Sequence, residues 1–206
     1  MEKKGNAVTY HPLSANQTNI WNLESLFLGT PINVITTEIR INHRVRYSLI
    51  QEAINIVLEK DVSLRTRICL DEGVPAQYTV PFQKEIFPFL DFSMTDEEGI
   101  AHWAEAMSKD PMPLYDEPLY RCIVYRIDAN SAGILVRMHH IISDGWTQLM
   151  VCNRIGQVYL DLVAGKQPDL AEAPPYTNHL AAEQEYFDSE EFQEDRAFWA
   201  GQLSQA

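Results

Sequence analysis

The sequence contains few cysteines, and they are not arranged in pairs. Cys69, Cys122 and Cys152 are the only three among 206 residues, and no C-x-x-C spacing occurs. An odd number of widely spaced cysteines argues against a disulfide framework and against a zinc site. The sequence therefore favours a reducing, cytoplasmic environment and predicts no bound metal.

A long apolar run and a basic cluster are also absent. Met1 to Tyr10 is polar, so no signal peptide is predicted, and no segment reaches the roughly 18 consecutive apolar residues of a membrane span. Lys and Arg total 16 against 29 Asp and Glu, which gives a formal net charge of -13 at pH 7. This charge disfavours nucleic acids and anionic membrane surfaces as partners.

The pattern that is present belongs to a folded domain with both helices and strands. Apolar residues make up 46% of the chain, enough for one substantial core or one lobe of a larger enzyme. Helical spacing of apolar residues and capping residues predict six helices. The first starts at Ser14, the second spans Leu49–Leu58, the third starts at a capping box formed by Thr95 and Glu98, and the fourth follows Gly145. Two more lie between Tyr176 and Ala206. Alternation with β-branched residues predicts strands at Val34–Ile41, Leu64–Leu70, Gln77–Val80, Leu119–Ile127 and Ile134–Met138.

One segment, Met138-His-His-Ile-Ile-Ser-Asp-Gly-Trp146, joins a strong strand to a strong helix. Adjacent side chains at a strand end point to opposite faces, so the two histidines cannot easily share one metal ion. We expect one to face the core and the other a cleft. Asp144 would lie at the helix start, where a carboxylate is favoured, and Gly145 would allow close approach of the backbone to a ligand.

The residues of this segment taken alone also allow a structural interpretation. A pair of histidines can serve packing and hydrogen bonding, and Asp-Gly can be a simple helix N-cap. Ser143 can be a turn residue. The helix that follows is expected to end at Gly165 and to turn four side chains toward the core, namely Leu149, Ile155, Tyr159 and Leu162.

The segment resembles the H-H-x-x-x-D-G signature of condensation domains of nonribosomal peptide synthetases, which are chloramphenicol-acetyltransferase-like acyltransferases. Ser14–Leu23 resembles the family's first motif, S-x-A-Q-x-R-L-W-x-L, with Asn16 and Asn19 in place of Ala and Arg. Leu64–Arg67 resembles the second motif, although Asp61 and Val62 replace the usual His and Glu upstream. Tyr176–Leu180 is a loose version of the fourth motif, with Asn178 where Asp is usual.

The resemblance implies an α+β fold, a two-layer lobe in which helices pack on a mixed β-sheet. Residues 1–175 would form the N-terminal lobe of a condensation domain, and residues 176–206 a helical segment leading toward a C-terminal lobe that this chain lacks. The implied reaction joins an acyl or peptidyl thioester donor to the amine of an aminoacyl carrier protein. The active site of the family lies between two lobes, so this chain by itself is expected to be inactive.

The resemblance makes His140 the catalytic histidine. An imidazole can accept the proton that an attacking amine loses, and a backbone N–H near Gly145 could stabilise the oxyanion. Whether His140 acts as a base or orients the amine is left open. His139 is expected to be packed and hydrogen-bonded. The resemblance also implies an ion pair between Asp144 and an arginine; Arg65 is the candidate, with an exposed strand arginine as the alternative.

The expected substrates are carried on the phosphopantetheine of partner carrier domains, and no cofactor is expected on the chain itself. Peptidyl carrier and adenylation domains are the implied partners, with acyl-CoA or an acyl carrier as possible donor. Met1 lies close to the first motif, and Leu28–Asn33 and Asp91–Ser93 resemble lipopeptide starter domains, so a fatty acyl starter function is predicted. The alternatives are an epimerization domain, a free acetyltransferase-like enzyme and a noncatalytic recruitment module of the same fold.

Overall fold

The computed structural model describes residues 8–204. Met1 to Ala7, most of the polar N-terminal stretch, and the last two positions lie outside the described residues. The chain divides into two compact units, Met1–Ala173 and Pro174–Ala206. The assignment of residues 1–175 and 176–206 to parts of a larger two-lobed domain stays a prediction.

The larger unit alternates helices and strands. Its helices are α1 (Ala15–Leu26), α2 (Tyr47–Lys60), α3 (Glu97–Ser108) and α4 (Gly145–Val163), with a 3-10 helix at Val62–Arg65. Its strands are β1 (His11–Pro12), β2 (Val34–Ile41), β3 (Thr66–Asp71), β4 (Val74–Thr79), β5 (Phe89–Asp91), β6 (Tyr120–Arg126) and β7 (Ala132–His139). The predicted mixture of helices and strands is confirmed.

A four-stranded mixed sheet, in the order β2-β7-β6-β5, forms the centre of this unit. β7 is antiparallel to both β2 and β6, whereas β5 and β6 are parallel. The register pairs Val34 with His139 at one end of β2 and Ile41 with Ala132 at the other. A second, three-stranded sheet has the order β1-β4-β3. This mixed sheet agrees with the predicted fold class.

Both faces of the four-stranded sheet are covered. α2 and α4 pack on one face, where Ile54 and Ile155 contact Val136 and its neighbours in the main core. α3 covers the other face, where Ile100 packs with Tyr125 and Leu135. Because every residue of β7 is buried, this strand provides a fixed support for the loop that follows it, and each large apolar side chain in it stabilises the fold by about 1.5–3 kcal/mol.

Three local predictions are wrong. The N-cap of α3 is Asp96 and not Thr95, because the Asp96 carboxylate accepts a hydrogen bond from Gly99 N at 2.8 Å. The predicted strand at Leu64 begins instead at Thr66, after the 3-10 helix. Leu149, expected to face the core, is 51% exposed.

The smaller unit consists of two helices, α5 (Thr177–Phe187) and α6 (Glu190–Leu203), as predicted. Phe192 on α6 packs edge-on against Tyr186 and Phe187 of α5. Phe198 and Trp199, near the end of α6, are exposed. Within residues 8–204, no helix is both long enough and apolar enough to span a bilayer.

Candidate active site

The two adjacent histidines lie where β7 ends, and their side chains have opposite surroundings. His139, the last residue of β7, is 1% exposed, whereas His140 is exposed. The backbone N–H of His140 donates to Asn33 O at 2.7 Å, which joins this point to the start of β2. The prediction that one histidine faces the core is confirmed for His139; that the other, His140, faces a cleft stays a prediction. It followed from the two-residue period of a strand.

The imidazole of His140 is held by the loop that it begins. Its Nδ1 lies 2.5 Å from the backbone oxygen of Ser143. Because a carbonyl oxygen can only accept, Nδ1 must carry the proton of this hydrogen bond. In the neutral imidazole the lone pair is therefore on Nε2, and Nε2 is the atom that can take up a proton from a substrate.

The buried His139 is a neutral structural residue. Its Nδ1 accepts a hydrogen bond from Ile141 N at 3.1 Å, so the proton of the neutral ring is on Nε2. Burial lowers the pKa of His139 to about 4. Nε2 lies 3.6 Å from a carboxylate oxygen of Glu24, which is too long for a hydrogen bond. This arrangement fits the packed role expected for His139.

Ser143 stabilises the loop from inside. Its hydroxyl donates to His139 O at 3.1 Å and its backbone N–H donates to His140 O at 3.3 Å. The side chain is buried. These contacts fix the carbonyl oxygen that holds His140, and they support the interpretation of Ser143 as a turn residue.

Asp144 is the N-cap of α4. One carboxylate oxygen accepts from Thr147 N at 2.7 Å and from the Thr147 hydroxyl at 2.8 Å. These two hydrogen bonds hold the pKa of the Asp144 carboxyl below its usual value. The side chain is exposed. In the structure Asp144 therefore serves as the helix cap.

The predicted ion pair between Asp144 and Arg65 is wrong. The guanidinium of Arg65 donates to Leu58 O at 2.6 Å and Glu59 O at 2.7 Å, at the end of α2, and to Val80 O at 3.1 Å. Carbonyls at a helix C-terminus have no partner within the helix and attract a cation. Arg65 is therefore a C-terminal cap of α2, and it supports the sheet of β3 and β4 instead of the histidine loop.

We expect the replacement Asp144→Ala to destabilise the fold by about 1 kcal/mol, the usual effect of losing an N-cap side chain. The double variant with Arg65→Ala should lose the sum of the two single effects, because the two side chains have separate partners. Urea unfolding of the wild type, both single variants and the double variant measures this. A coupling energy above about 1 kcal/mol between the two substitutions would indicate that Asp144 and Arg65 interact, and it would contradict the assignment of Asp144 as a cap alone.

Gly145 is the first residue of α4. A Cβ atom built on it would meet no other atom within 4 Å, so nothing in this chain's described residues requires glycine there. The neighbouring Trp146 is 70% exposed. The start of α4 is thus an open surface beside His140, where a ligand or another polypeptide could approach the backbone closely.

Two glutamines that sequence reasoning did not single out hold this region together. Gln17 on α1 donates to Ile141 O at 3.2 Å and pairs with the Gln77 side chain, which donates back at 2.7 Å. Gln148 on α4 donates to Ile35 O at 3.0 Å and accepts from the Thr37 hydroxyl at 2.5 Å. Both are buried. A polar residue on an otherwise apolar helix face was the available signal for Gln148.

Within the part of the chain that the structure describes, no group of three His, Cys, Asp or Glu residues could hold a metal ion. All three cysteines are free and buried, and burial raises the pKa of the Cys122 thiol to about 12. A buried thiol with a raised pKa is a poor nucleophile. None of the three cysteines is therefore a candidate nucleophile.

The helix-covered mixed sheet places the chain among the chloramphenicol-acetyltransferase-like folds, as seen in solved condensation domains. Within that class the family can be named. The family model for the condensation domain matches residues 8–206, and the chain belongs to that family.

Two kinds of relative illustrate the match. The chain is 30% identical over 206 residues to surfactin synthase subunit 1 of Bacillus subtilis (strain 168). The matched region covers 95% of this chain and 6% of that protein. It superposes on the starter condensation domain of rhizomide synthetase with a TM-score of 0.84 at 22% identity, covering 94% of this chain and 50% of that one. A variant of the same domain, in complex with C8-CoA and Leu-SNAC, gives a TM-score of 0.87 at 22% identity, covering 95% and 46%.

Proposed function

We propose that this chain supplies the catalytic histidine of a condensation domain that forms an amide bond. The donor is an acyl or peptidyl thioester, and the acceptor is the amine of an amino acid carried on a peptidyl carrier protein. One observation carries the proposal. His140 is exposed at the end of a fully buried strand, and its Nδ1–H is fixed on Ser143 O, which leaves Nε2 free toward a substrate.

The reaction needs one proton acceptor and no oxidant or metal. The amine nitrogen attacks the thioester carbonyl carbon, a C–N bond forms, and the C–S bond then breaks. Nε2 of His140 accepts the proton that the nitrogen loses, and the proton can pass on to the departing thiolate. The same Nε2 lone pair could instead orient the amine by accepting its hydrogen bond, and the fixed tautomer serves both roles.

The start of α4 is suited to the negative charge that develops on the carbonyl oxygen. The first turn of an α-helix has N–H groups without partners in the helix, and its dipole favours an anion. The Asp144 side chain takes the N–H of Thr147, which leaves the N–H groups of Gly145 and Trp146 in the first turn, and Gly145 is the proposed donor. Because Gly145 has no Cβ, the substrate can come close to it.

The proposed partners follow from the reaction and from the family. The substrates would arrive on the phosphopantetheine arms of carrier domains, with an adenylation domain loading the acceptor, and no cofactor would be held by this lobe. The chain spans half of the length of the solved condensation domain that it matches, so the second wall of the active site is proposed to come from a further lobe. In that case the 206-residue chain alone gives no turnover.

We further propose that the donor is a fatty acyl group, as in a starter condensation domain. The structural neighbours include a starter condensation domain in complex with C8-CoA. Leu28–Asn33, which resembles starter domains, ends at the residue whose carbonyl oxygen binds His140 N. Exposed Trp146 and Leu149 also provide an apolar surface beside the loop. These observations support an apolar donor chain over a peptidyl one.

The donor is identified by a competition assay with the intact enzyme. It receives a medium-chain fatty acyl-CoA, a peptidyl carrier donor and an aminoacyl carrier acceptor, and the products are identified by mass spectrometry. We expect the acyl amide from the acyl-CoA. Exclusive formation of the longer peptide would contradict the starter function while leaving condensation itself intact.

The same assay separates the alternatives. An epimerization domain would change the stereochemistry of the acceptor without forming an amide, and a recruitment module would do neither. Running the assay with the 206-residue chain tests whether this lobe is inactive alone. Robust amide formation by the isolated chain would show that no second lobe is required.

A further inference from the structure

A buried carboxylate lies beside His139. Glu24, on α1, is 6% exposed and directly follows the stretch that resembles the first family motif. It lines an open cleft of about 480 Å³ whose other walls include Leu28, Met112 and Leu114. A carboxylate in apolar surroundings costs several kcal/mol unless it is hydrogen-bonded or paired.

The partners of Glu24 are a buried amide and a buried imidazole. Its Oε2 accepts from Asn33 Nδ2 at 2.8 Å and lies 3.6 Å from His139 Nε2. Within residues 8–204, no lysine or arginine forms an ion pair with it. Since burial keeps His139 neutral, the firm interaction of Glu24 is the hydrogen bond from Asn33.

Asn33 connects Glu24 to the loop that begins at His140. Asn33 is 2% exposed, and its backbone oxygen accepts the N–H of His140 at 2.7 Å. Its side chain has one further contact, to Ile20 O at 3.4 Å. The position of the Asn33 carbonyl, and with it the backbone of His140, therefore depends on the acceptor that Glu24 provides.

We propose that Glu24 is a positioning residue for His140 and acts through Asn33. This inference rests on the proposed role of His140 in condensation. What Glu24 contributes is an acceptor oxygen at a fixed place, and its charge is not required. The same oxygen contacts both Asn33 and His139, so the amide oxygen of a glutamine can replace it in both contacts.

The test in the intact enzyme compares two substitutions of nearly equal size. Glu24→Met removes the acceptor and is expected to lower kcat about 10- to 100-fold, in line with a displacement of about 1 Å of a catalytic group. KM for both substrates should stay within about 2-fold, because the proposed role of Glu24 is to position His140 and not to bind a substrate. Glu24→Gln should keep kcat within about 3-fold of wild type, because the acceptor oxygen remains.

A matched control is Glu38→Met, which also removes a hydrogen-bonded carboxylate. Glu38 lies on β2, four residues after Val34, the residue that pairs with His139. This variant should leave kcat near the wild-type value. Wild-type kcat in Glu24→Met, or an equal loss in Glu24→Gln, would overturn the proposed acceptor role. If His140→Ala itself retains full activity, the proposed function fails instead, and the two failures are distinguishable.

A spectroscopic measurement tests the positioning without any activity. The 206-residue chain, labelled with 15N-histidine, should show a protonated Nδ1 and an unprotonated Nε2 for His140, assigned by their loss in His140→Ala. In Glu24→Met the loop loosens, so the Nδ1 and Nε2 resonances of His140 should move toward a common averaged value. In Glu24→Gln the two resonances should stay separate, as in wild type. If Glu24→Met does not fold, Asn33→Ala removes the donor of the same bond and must give the same averaging. Unchanged His140 resonances in either folded variant contradict the proposal.

Discussion

Replacing His140 with alanine is expected to lower the rate of amide formation by about 10²- to 10⁴-fold, the usual contribution of a positioned acid–base group. The side chain of His140 is exposed, so the fold should be little affected. Initial rates of amide formation by the intact enzyme at saturating acyl donor and aminoacyl carrier measure the effect. Far-UV circular dichroism and thermal unfolding check the fold.

The matched control is His102→Ala, which removes an exposed histidine on α3, away from the loop. That variant should keep the wild-type rate. A His140→Ala enzyme that is folded and forms amide at a rate within about 3-fold of wild type would exclude His140 as either base or orienting group, since each role depends on Nε2.

Acidification is expected to destabilise the fold through His139. Folding lowers the pKa of this residue from its ordinary value of 6.5 to about 4, because the buried ring is kept neutral. Between these two values the unfolded chain binds a proton that the folded chain does not. The corresponding stability is intact above pH 6.5 and is lost as the pH falls toward 4, by up to about 3 kcal/mol at about 1.4 kcal/mol per pKa unit.

Urea unfolding at a series of pH values from 7 to 4 measures this loss, and His139→Asn isolates it. The asparagine side chain keeps an acceptor for Ile141 N but does not titrate. The stability advantage of wild type over this variant should therefore shrink as the pH falls. An advantage that is constant over this range would mean that His139 is not the group responsible.

The elements around the site were predictable because their signals are local. The β-branched residues of β2, the nearly continuous apolar run of β7 and the apolar spacing in α2 identify those elements correctly. The opposite surroundings of His139 and His140 follow from the geometry of any strand. The bounds of β2, Val34–Ile41, agree with the prediction residue for residue.

The partners of charged side chains were not predictable in the same way. Arg65 and Asp144 are far apart in sequence, and a guanidinium can bind any carbonyl or carboxylate that the fold brings near. The carbonyl oxygens at the end of α2 lie within hydrogen-bond distance of the Arg65 guanidinium, so the predicted ion pair with Asp144 was wrong. The burial of Glu24 had no local signal, because it depends on Asn33 and His139 from other elements. Chain segments that meet only in the folded state decide such contacts.

The burial of β7 on both faces has a consequence for how this lobe can change in evolution. A single inserted or deleted residue within β7 would exchange the orientations of the two histidines, since strand side chains alternate with a period of two. A deletion would carry His140 to the buried position of His139, and an insertion would carry His139 to the exposed position of His140. Length variation should instead collect in the hairpin turn at Asp128–Ser131, before β7 begins, where added residues leave the pairing of Val34 with His139 unchanged.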